Sequence, residues 1–285
     1  MNLYDLMMKR RSVRNFKDQE IPEHVIEELV DAANNAPTGG NIQPLSIILV
    51  QEAERREELA KIVGNQPWVK NAPLSMVFCL DFYRVKKWGA LLDTDFRGEQ
   101  ALSHFLIAYA DLMCAAQNVV ILAESYGLGS VYIGTIQSNI DRGREYFAIP
   151  EYVLPMMVLS IGYPKSIPRT IPKLKREVIM HRERYETPGD DDIRQAFEDK
   201  YGAFDENVEK YLEKAYIEVV EADKQQGEQW MELVKEEMQK LEIRNNAQFL
   251  FKLRYPAQAM VGLNEKIADA LKNAGFDFFS EPLKR

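Results

Sequence analysis

Three clusters of side chains in this sequence are suited to holding a small ligand. Arg10, Arg11, Ser12 and Arg14 fall in one short run, Lys9-Arg10-Arg11-Ser12-Val13-Arg14. A guanidinium is a planar fork that matches two phosphate oxygens, and a serine hydroxyl adds a short hydrogen bond. If the preceding helix continues through this run, Arg10 and Arg14 lie one turn apart and converge on one anion. The second cluster is Pro37-Thr38-Gly39-Gly40-Asn41-Ile42-Gln43-Pro44. Its paired glycines let backbone N–H groups approach a ligand closely, and Asn41 and Gln43 offer donors and acceptors to a heteroaromatic edge. The third is Gly127 to Thr135, where an apolar strand ends at Ile133-Gly134 and a flat ring can rest against the backbone. Taken singly, each has a plainer reading: a solvated basic patch, an ordinary turn, and a helix stop before a core strand.

No acid–base constellation accompanies these clusters. His24, His104 and His181 are far apart in dissimilar contexts, so no metal site is expected. The chain has no Walker loop, no Gly-x-Gly-x-x-Gly fingerprint, no Gly-x-Ser-x-Gly elbow and no His-Glu-x-x-His pair. Chemistry without a catalytic triad points to a cofactor that brings its own reactive atom.

The elements that position these clusters can be read from periodicity. Leu3–Lys9 reads as a short helix. Pro22 opens a second helix, with Val25, Ile26, Leu29, Val30 and Ala33 on one face. Strands are expected at Leu45–Val50, Leu74–Leu80, Ser130–Ile133 and Val153–Ile161, with Pro155 requiring an edge or a bulge in the last. Helices are expected at Ala53–Val63, Glu99–Tyr126 and Ile140–Phe147. The long one is apolar on most of its circumference and belongs inside the protein or at a subunit contact. Beyond Gly189-Asp190-Asp191-Asp192 the chain turns charged and helical. One apolar stripe runs from Val208 to Leu241, with Gly227 as a possible interruption.

With 285 residues, 46% of them hydrophobic, the chain has enough apolar matter for a sizeable core. Its formal net charge of −8 argues against nucleic acid or an anionic membrane as partner. The N-terminal basic residues follow the apolar ones, the reverse of a secretory signal. The longest membrane-spanning candidate, Phe105 to Ala123, contains Asp111, Gln117 and Asn118. Cys79 and Cys114 sit in apolar stretches and read as buried thiols. The expectation is a cytoplasmic protein.

Taken together and in this order, the motifs resemble the FMN-dependent nitroreductase family, in its branch of oxygen-insensitive NAD(P)H nitroreductases and flavin reductases. They are Arg10-Arg11-Ser12-Val13-Arg14-Asn15-Phe16, Ala36 to Asn41, Gly64-Asn65-Gln66-Pro67-Trp68-Val69, Gly127 to Gly134, and a late basic segment before His181-Arg182-Glu183-Arg184-Tyr185. The resemblance implies an α+β fold with a central, mostly antiparallel sheet flanked by helices and a long central helix at a dimer interface. It implies an FMN-binding domain over residues 1–188 and a helical extension over 189–285. In a homodimer, FMN would lie in clefts between subunits. Arg10 and Ser12 would hold its phosphate, with Arg11 among the cofactor-binding residues, and Arg14 would sit at the pyrimidine edge of the ring. Pro37, Thr38, Gly39, Gly40, Asn41 and Gln43 would line it from the partner subunit. Gln66 would face the nicotinamide side, and Ile133 and Gly134 would back the ring. A late phosphate ligand falls nearest Lys173, with Arg169, Lys175 and Arg176 as competitors. The implied activity is ping-pong hydride transfer from NAD(P)H to a nitroaromatic, quinone or flavin. A narrower reaction on the same fold (reductive dehalogenation or an anabolic oxidation) and a non-enzymatic flavin-binding role are the alternatives.

Overall fold

The computed structural model describes residues 2–205 and 207–279. Contacts divide the chain into two units, Met1–Pro168 with Gly262–Arg285, and Arg169–Val261. This differs from the boundary at 188/189 that composition suggests. The Gly189–Asp192 signal marks the start of a helix instead, with the Gly189 N–H donating to Asp192 Oδ2 at 3.2 Å. The last part of the chain returns to the first unit because its aromatic and small residues, Ala270, Ala274 and Phe276, are buried in that unit's core.

In the first unit, α1 (Leu3–Lys9) starts on Asn2, whose side chain accepts the Asp5 N–H, and stops at Arg10, where the backbone turns extended. It does not continue through the basic run. Ser12 forms a parallel bridge to Ser130, and the Val13 N–H donates to the Ser130 carbonyl at 3.0 Å. Pairing with a strand far away in sequence therefore overrides the helical extension. Helix α2 (Glu23–Asn34) buries Val25, Ile26, Leu29 and Ala33, with Pro22 just outside it as the cap.

Strands β1 (Leu45–Val50), β2 (Leu74–Asp81), β3 (Gly129–Ile133) and β4 (Val153–Gly162) form one antiparallel sheet in the order β1-β2-β4-β3. Every residue of β2 and β4 is buried, as befits central strands whose sequences are nearly continuous apolar runs. Pro155 sits in β4 beside a bulge, where only β2 flanks it. A bulge opposite Phe78/Cys79 absorbs it, and β3 pairs with β4 only as far as Val158, so no ladder bond on that side needs a proline N–H.

Between the strands lie α3 (Ala53–Ile62), α4 (Pro67–Asn71), α5 (Tyr83–Leu91), α6 (Leu102–Ser125) and α7 (Ile140–Tyr146). Helix α6 is the one helix among the described residues long and apolar enough to cross a membrane. Here it buries Ala108, Leu112, Ala115, Ala116, Val119 and Val120 in the same core as Leu74, Met76, Phe78 and Leu80 of β2. Its polar groups are used within the unit: Asn118 donates to the Ala32 carbonyl and Gln117 accepts from the Tyr132 hydroxyl, both at 3.1 Å. Cys114 points the other way and is exposed, contrary to the expectation of two buried thiols. An apolar helix surface does not reveal which side the sheet will take. Cys79 is buried, which pushes its thiol up to about 12 and keeps it protonated.

The contact of the basic run with β3 depends on Gly129. A Cβ there would lie 2.4 Å from Val13 Cγ2 and 3.1 Å from Pro164 Cγ. Gly129→Ala is expected to cost about 1–3 kcal/mol through overpacking. Thermal unfolding followed by circular dichroism checks this, and an unchanged Tm would show that the contact yields freely.

In the second unit, α8 (Arg176–Ile179) and α9 (Asp190–Tyr201) precede a helical hairpin, α10 (Val208–Ala222) and α11 (Lys224–Lys240). The break falls at Asp223, which caps α11 by accepting the Gln226 N–H at 3.0 Å, and not at Gly227. Gly227 lies inside α11 where the two helices touch, and a Cβ there would be 2.6 Å from Val220 Cα. The apolar stripe of the sequence is thus folded on itself, burying Leu212, Tyr216, Val219 and Met238. A short α12 (Asn246–Gln248) runs into a π-helical stretch, Phe249–Arg254, and the unit boundary at 261/262 falls inside α13 (Ala257–Asn273).

Candidate ligand-binding site

The basic run sits along β3 as an extended segment. Alternation puts Arg10, Ser12 and Arg14 on the side opposite Val13, which is buried. The arginines are therefore spread along a line, where a helix would have stacked them. At the α1 end, the carboxylate of Glu124 accepts the Arg11 N–H. Burial raises its pKa, and Arg10 and Arg11 oppose that rise. Tyr132 lies within the field of Arg10, yet burial still pushes its phenol up to about 12. At the other end, the Arg14 guanidinium lies over the Trp68 ring, 5.4 Å from its centroid. Trp68 is a buried residue of α4, and it acts as a ledge that steadies the charge.

Gln66, the residue before α4, joins this cluster. Its amide donates to the Val63 carbonyl and to Thr135 Oγ1, both at 2.9 Å, and Thr135 donates in turn to Val63 at 2.8 Å. Gln66 is thereby fixed beside Gly134. A Cβ on Gly134 would meet only Met157 Cε, at 3.9 Å, so the chain's own packing does not require glycine there. Ile133 is 2% exposed, so its side chain belongs to the core and only its backbone can meet a ligand. Within one chain, then, Arg14 lies over Trp68 two residues from Gln66, Gln66 is bonded to Thr135 next to Gly134, Ser12 is bridged to Ser130, and Arg10 and Arg11 lie at the far end of the run near Glu124. Thr135 and Trp68 are the supporting residues that the sequence reading passed over, although both stand inside the quoted motifs.

The Pro37–Gln43 loop lies elsewhere in the same unit. It precedes β1, while Gly134 follows β3. These are opposite edges at the same end of the sheet, three strand spacings or about 14 Å apart. Gly40, Asn41 and Gln43 adopt left-handed φ values of 61°, 56° and 51°. Gly39 donates its N–H to both oxygens of Asp111, at 3.1 and 3.0 Å. The Thr38 hydroxyl is buried and has no partner among the described residues. Gln43 is already occupied, since its amide nitrogen donates to the backbone and side-chain oxygens of Asn34, both at 3.1 Å. It closes the loop, so its donors are not offered to a ligand as the sequence suggests. Pro37, Gly40 and Asn41 are exposed. Beside the loop is a cavity of about 220 Å³ lined by Thr38, Gln43, Leu45, Arg84 and Trp88 among others.

The late basic residues all belong to the second unit. Arg169 donates to the Lys214 carbonyl at 2.7 Å and Lys175 pairs with Asp199 at 2.6 Å, while Lys173 and Arg176 are exposed.

Comparison with known proteins bears on this arrangement. A model of the nitroreductase family matches residues 7–163. The FMN reductase (NADPH) of Bacillus subtilis is 32% identical over 216 residues, covering 74% of this chain and 83% of that one. The structure of NfrA1 nitroreductase from B. subtilis superposes with a TM-score of 0.69 at 26% identity, over 95% of this chain and 98% of that one. The NADPH:FMN oxidoreductase from Vibrio harveyi, solved in complex with NAD+, gives a TM-score of 0.66 at 27% identity, over 76% and 95% of the two chains. The NfrA1 match takes in most of the C-terminal helical region, which therefore has a counterpart beyond this chain.

Proposed function

This chain belongs to the nitroreductase family, and from that premise we propose how its residues divide the work of an NAD(P)H-dependent flavin oxidoreductase. Its cofactor is FMN and its electron donor NAD(P)H, as the names of its relatives indicate. The residues present fit that cofactor. The observation that carries the assignment is the extended run bridged to β3 at Ser12, with Arg14 over Trp68 at the end where Gln66 bonds Thr135. It offers cations and a hydroxyl to a phosphate at one end and a fixed cation to a ring at the other. Open space over Gly134 and the unpartnered Thr38 hydroxyl are what a flat polar ligand would fill.

Bound FMN supplies the redox chemistry, taking a hydride from NAD(P)H and passing two electrons to an acceptor. The chain holds and polarises. Arg10 and Ser12 hold the phosphate. Arg14, steadied on Trp68, stabilises negative charge at the ring's pyrimidine edge. Gln66, locked by Thr135, orients the nicotinamide. Thr38, Gly40 and Asn41 complete the cleft from a second copy. A homodimer is proposed because the loop before β1 and the basic run beside β3 lie at opposite edges of the sheet, and exposed Leu102 and Leu106 on α6 offer an apolar face for it. The acceptors proposed are nitroaromatics, quinones and free flavin, with oxidised nicotinamide leaving before the acceptor stacks in its place. That order makes the cycle ping-pong. The proposed location is the cytoplasm.

Anaerobic titration tests this reading. NADH or NADPH is expected to bleach the flavin colour, and a nitroaromatic is expected to restore it. A coloured protein that ignores both nicotinamides would overturn the enzymatic reading in favour of a flavin carrier. Arg14→Ala is expected to keep its flavin while slowing NADPH-driven bleaching by about tenfold to a hundredfold. An unchanged rate would remove Arg14 from the scheme.

A further inference from the structure

Asp111 has no part in the assignments above, yet it is built into the loop that presents Thr38 and Asn41. It is 8% exposed on a mostly apolar helix. Among the described residues no cation pairs with it. Burial accordingly raises its pKa, and the Gly39 N–H draws it back. A buried carboxylate on a core helix is costly unless it is hydrogen-bonded. Here both of its oxygens lie within 3.1 Å of the Gly39 nitrogen. One turn earlier on the same face, Ile107 also packs against Gly39: a Cβ on Gly39 would lie 2.5 Å from Ile107 Cγ2. Helix α6 thus grips Gly39 at two points, one polar and one steric. The residues that follow, Gly40, Asn41 and Gln43, are the left-handed ones, a shape that persists only where the surroundings enforce it.

We infer that Asp111 is a positioning residue for the cofactor site, clamping Gly39 so that Thr38, Gly40 and Asn41 are held ready for the flavin before it binds. This rests on the reading of the loop as part of the FMN site.

The test measures FMN affinity of the full-length protein by quenching of flavin fluorescence, with circular dichroism to confirm folding. Asp111→Ala is expected to raise the Kd about tenfold or more. Asp111→Asn keeps an acceptor oxygen and is expected to stay within about threefold of the parent, a rescue that a general loss of stability would not produce. Gly39→Ala is expected to weaken binding as Asp111→Ala does, and Ile107→Ala in that background to restore it. Asn41→Ala tests the loop itself. If Asn41→Ala weakens binding and Asp111→Ala does not, the inference fails and the loop reading stands. If Asn41→Ala also leaves the Kd unchanged, the loop reading fails and takes the inference with it. Should Asp111→Ala not fold, the Gly39–Ile107 pair decides: no recovery in the double variant overturns the clamp.

Discussion

Replacing Arg10 and Ser12 together by alanine is expected to weaken FMN binding by a hundredfold or more. Hydrogen bonds to a charged group contribute about 1.5–3 kcal/mol each, and about 1.4 kcal/mol is a factor of ten. Two such losses on one phosphate therefore remove at least two orders of magnitude. Equilibrium dialysis against FMN reads the loss directly. A Kd within threefold of the parent would place the phosphate elsewhere and return the basic run to a solvated patch. The Arg10 change also has a pH signature. Burial already raises the pKa of Glu124, and Arg10 opposes that rise. Without Arg10 the folded-state pKa climbs further above its unfolded value. Folded protein then binds more protons than unfolded protein between those two pKa values, so stability falls as pH rises through that window and is greatest below it. Denaturant midpoints of Arg10→Ala are expected to drop more, relative to the parent, at neutral pH than at acid pH. An equal drop at both would mean that Glu124 does not depend on Arg10.

Lys86→Met is expected to destabilise the first unit by about 3 kcal/mol, because it strands a buried charge. Lys86 reaches Glu99 Oε1 at 2.6 Å and the Phe96 carbonyl at 3.2 Å, and lies over the Tyr152 ring at 4.7 Å. The Glu99 side chain is 5% exposed, and its second oxygen, Oε2, has no partner among the described residues. The same corner anchors the returning C-terminal segment. The Asp277 N–H donates to the Glu99 carbonyl at 3.1 Å, and the Tyr152 N–H to the Ala274 carbonyl at 2.8 Å. Phe276 packs against Phe82 and Phe105, each at 5.9 Å. Losing the cation should therefore lower the Tm and free the segment after α13 for proteolysis. Adding Glu99→Leu should recover most of the Tm, since apolar replacement of both partners leaves no uncompensated charge. A Lys86→Met protein with the parent's Tm would show that water already screens the pair.

The sequence alone determined the elements and the chemistry they carry. Helix α2 and strands β1 and β2 appear almost residue for residue where periodicity puts them, because burial of one face every 3.6 residues, or of every residue in a central strand, is written locally. The cofactor class was legible only through the resemblance that the motifs carry together. Arginines with a serine, a double-glycine loop and an Ile133-Gly134 strand end are residue types whose chemistry does not depend on where the chain carries them. Tertiary structure decided everything that needed a distant partner. Arg10 to Arg14 are extended because Val13 pairs with Ser130, more than a hundred residues away. Pro155 is tolerated in β4 because β4 bulges opposite Phe78/Cys79 and β3 pairs with it only as far as Val158. Cys114 faces outward because the sheet took the other side of α6. Gln43 is occupied by Asn34, and Gly39 by Asp111. The C-terminal segment rejoins the first core because Phe82 and Phe105 wait there for Phe276. Local pattern specifies which surfaces must be buried; only the closed fold specifies what buries them.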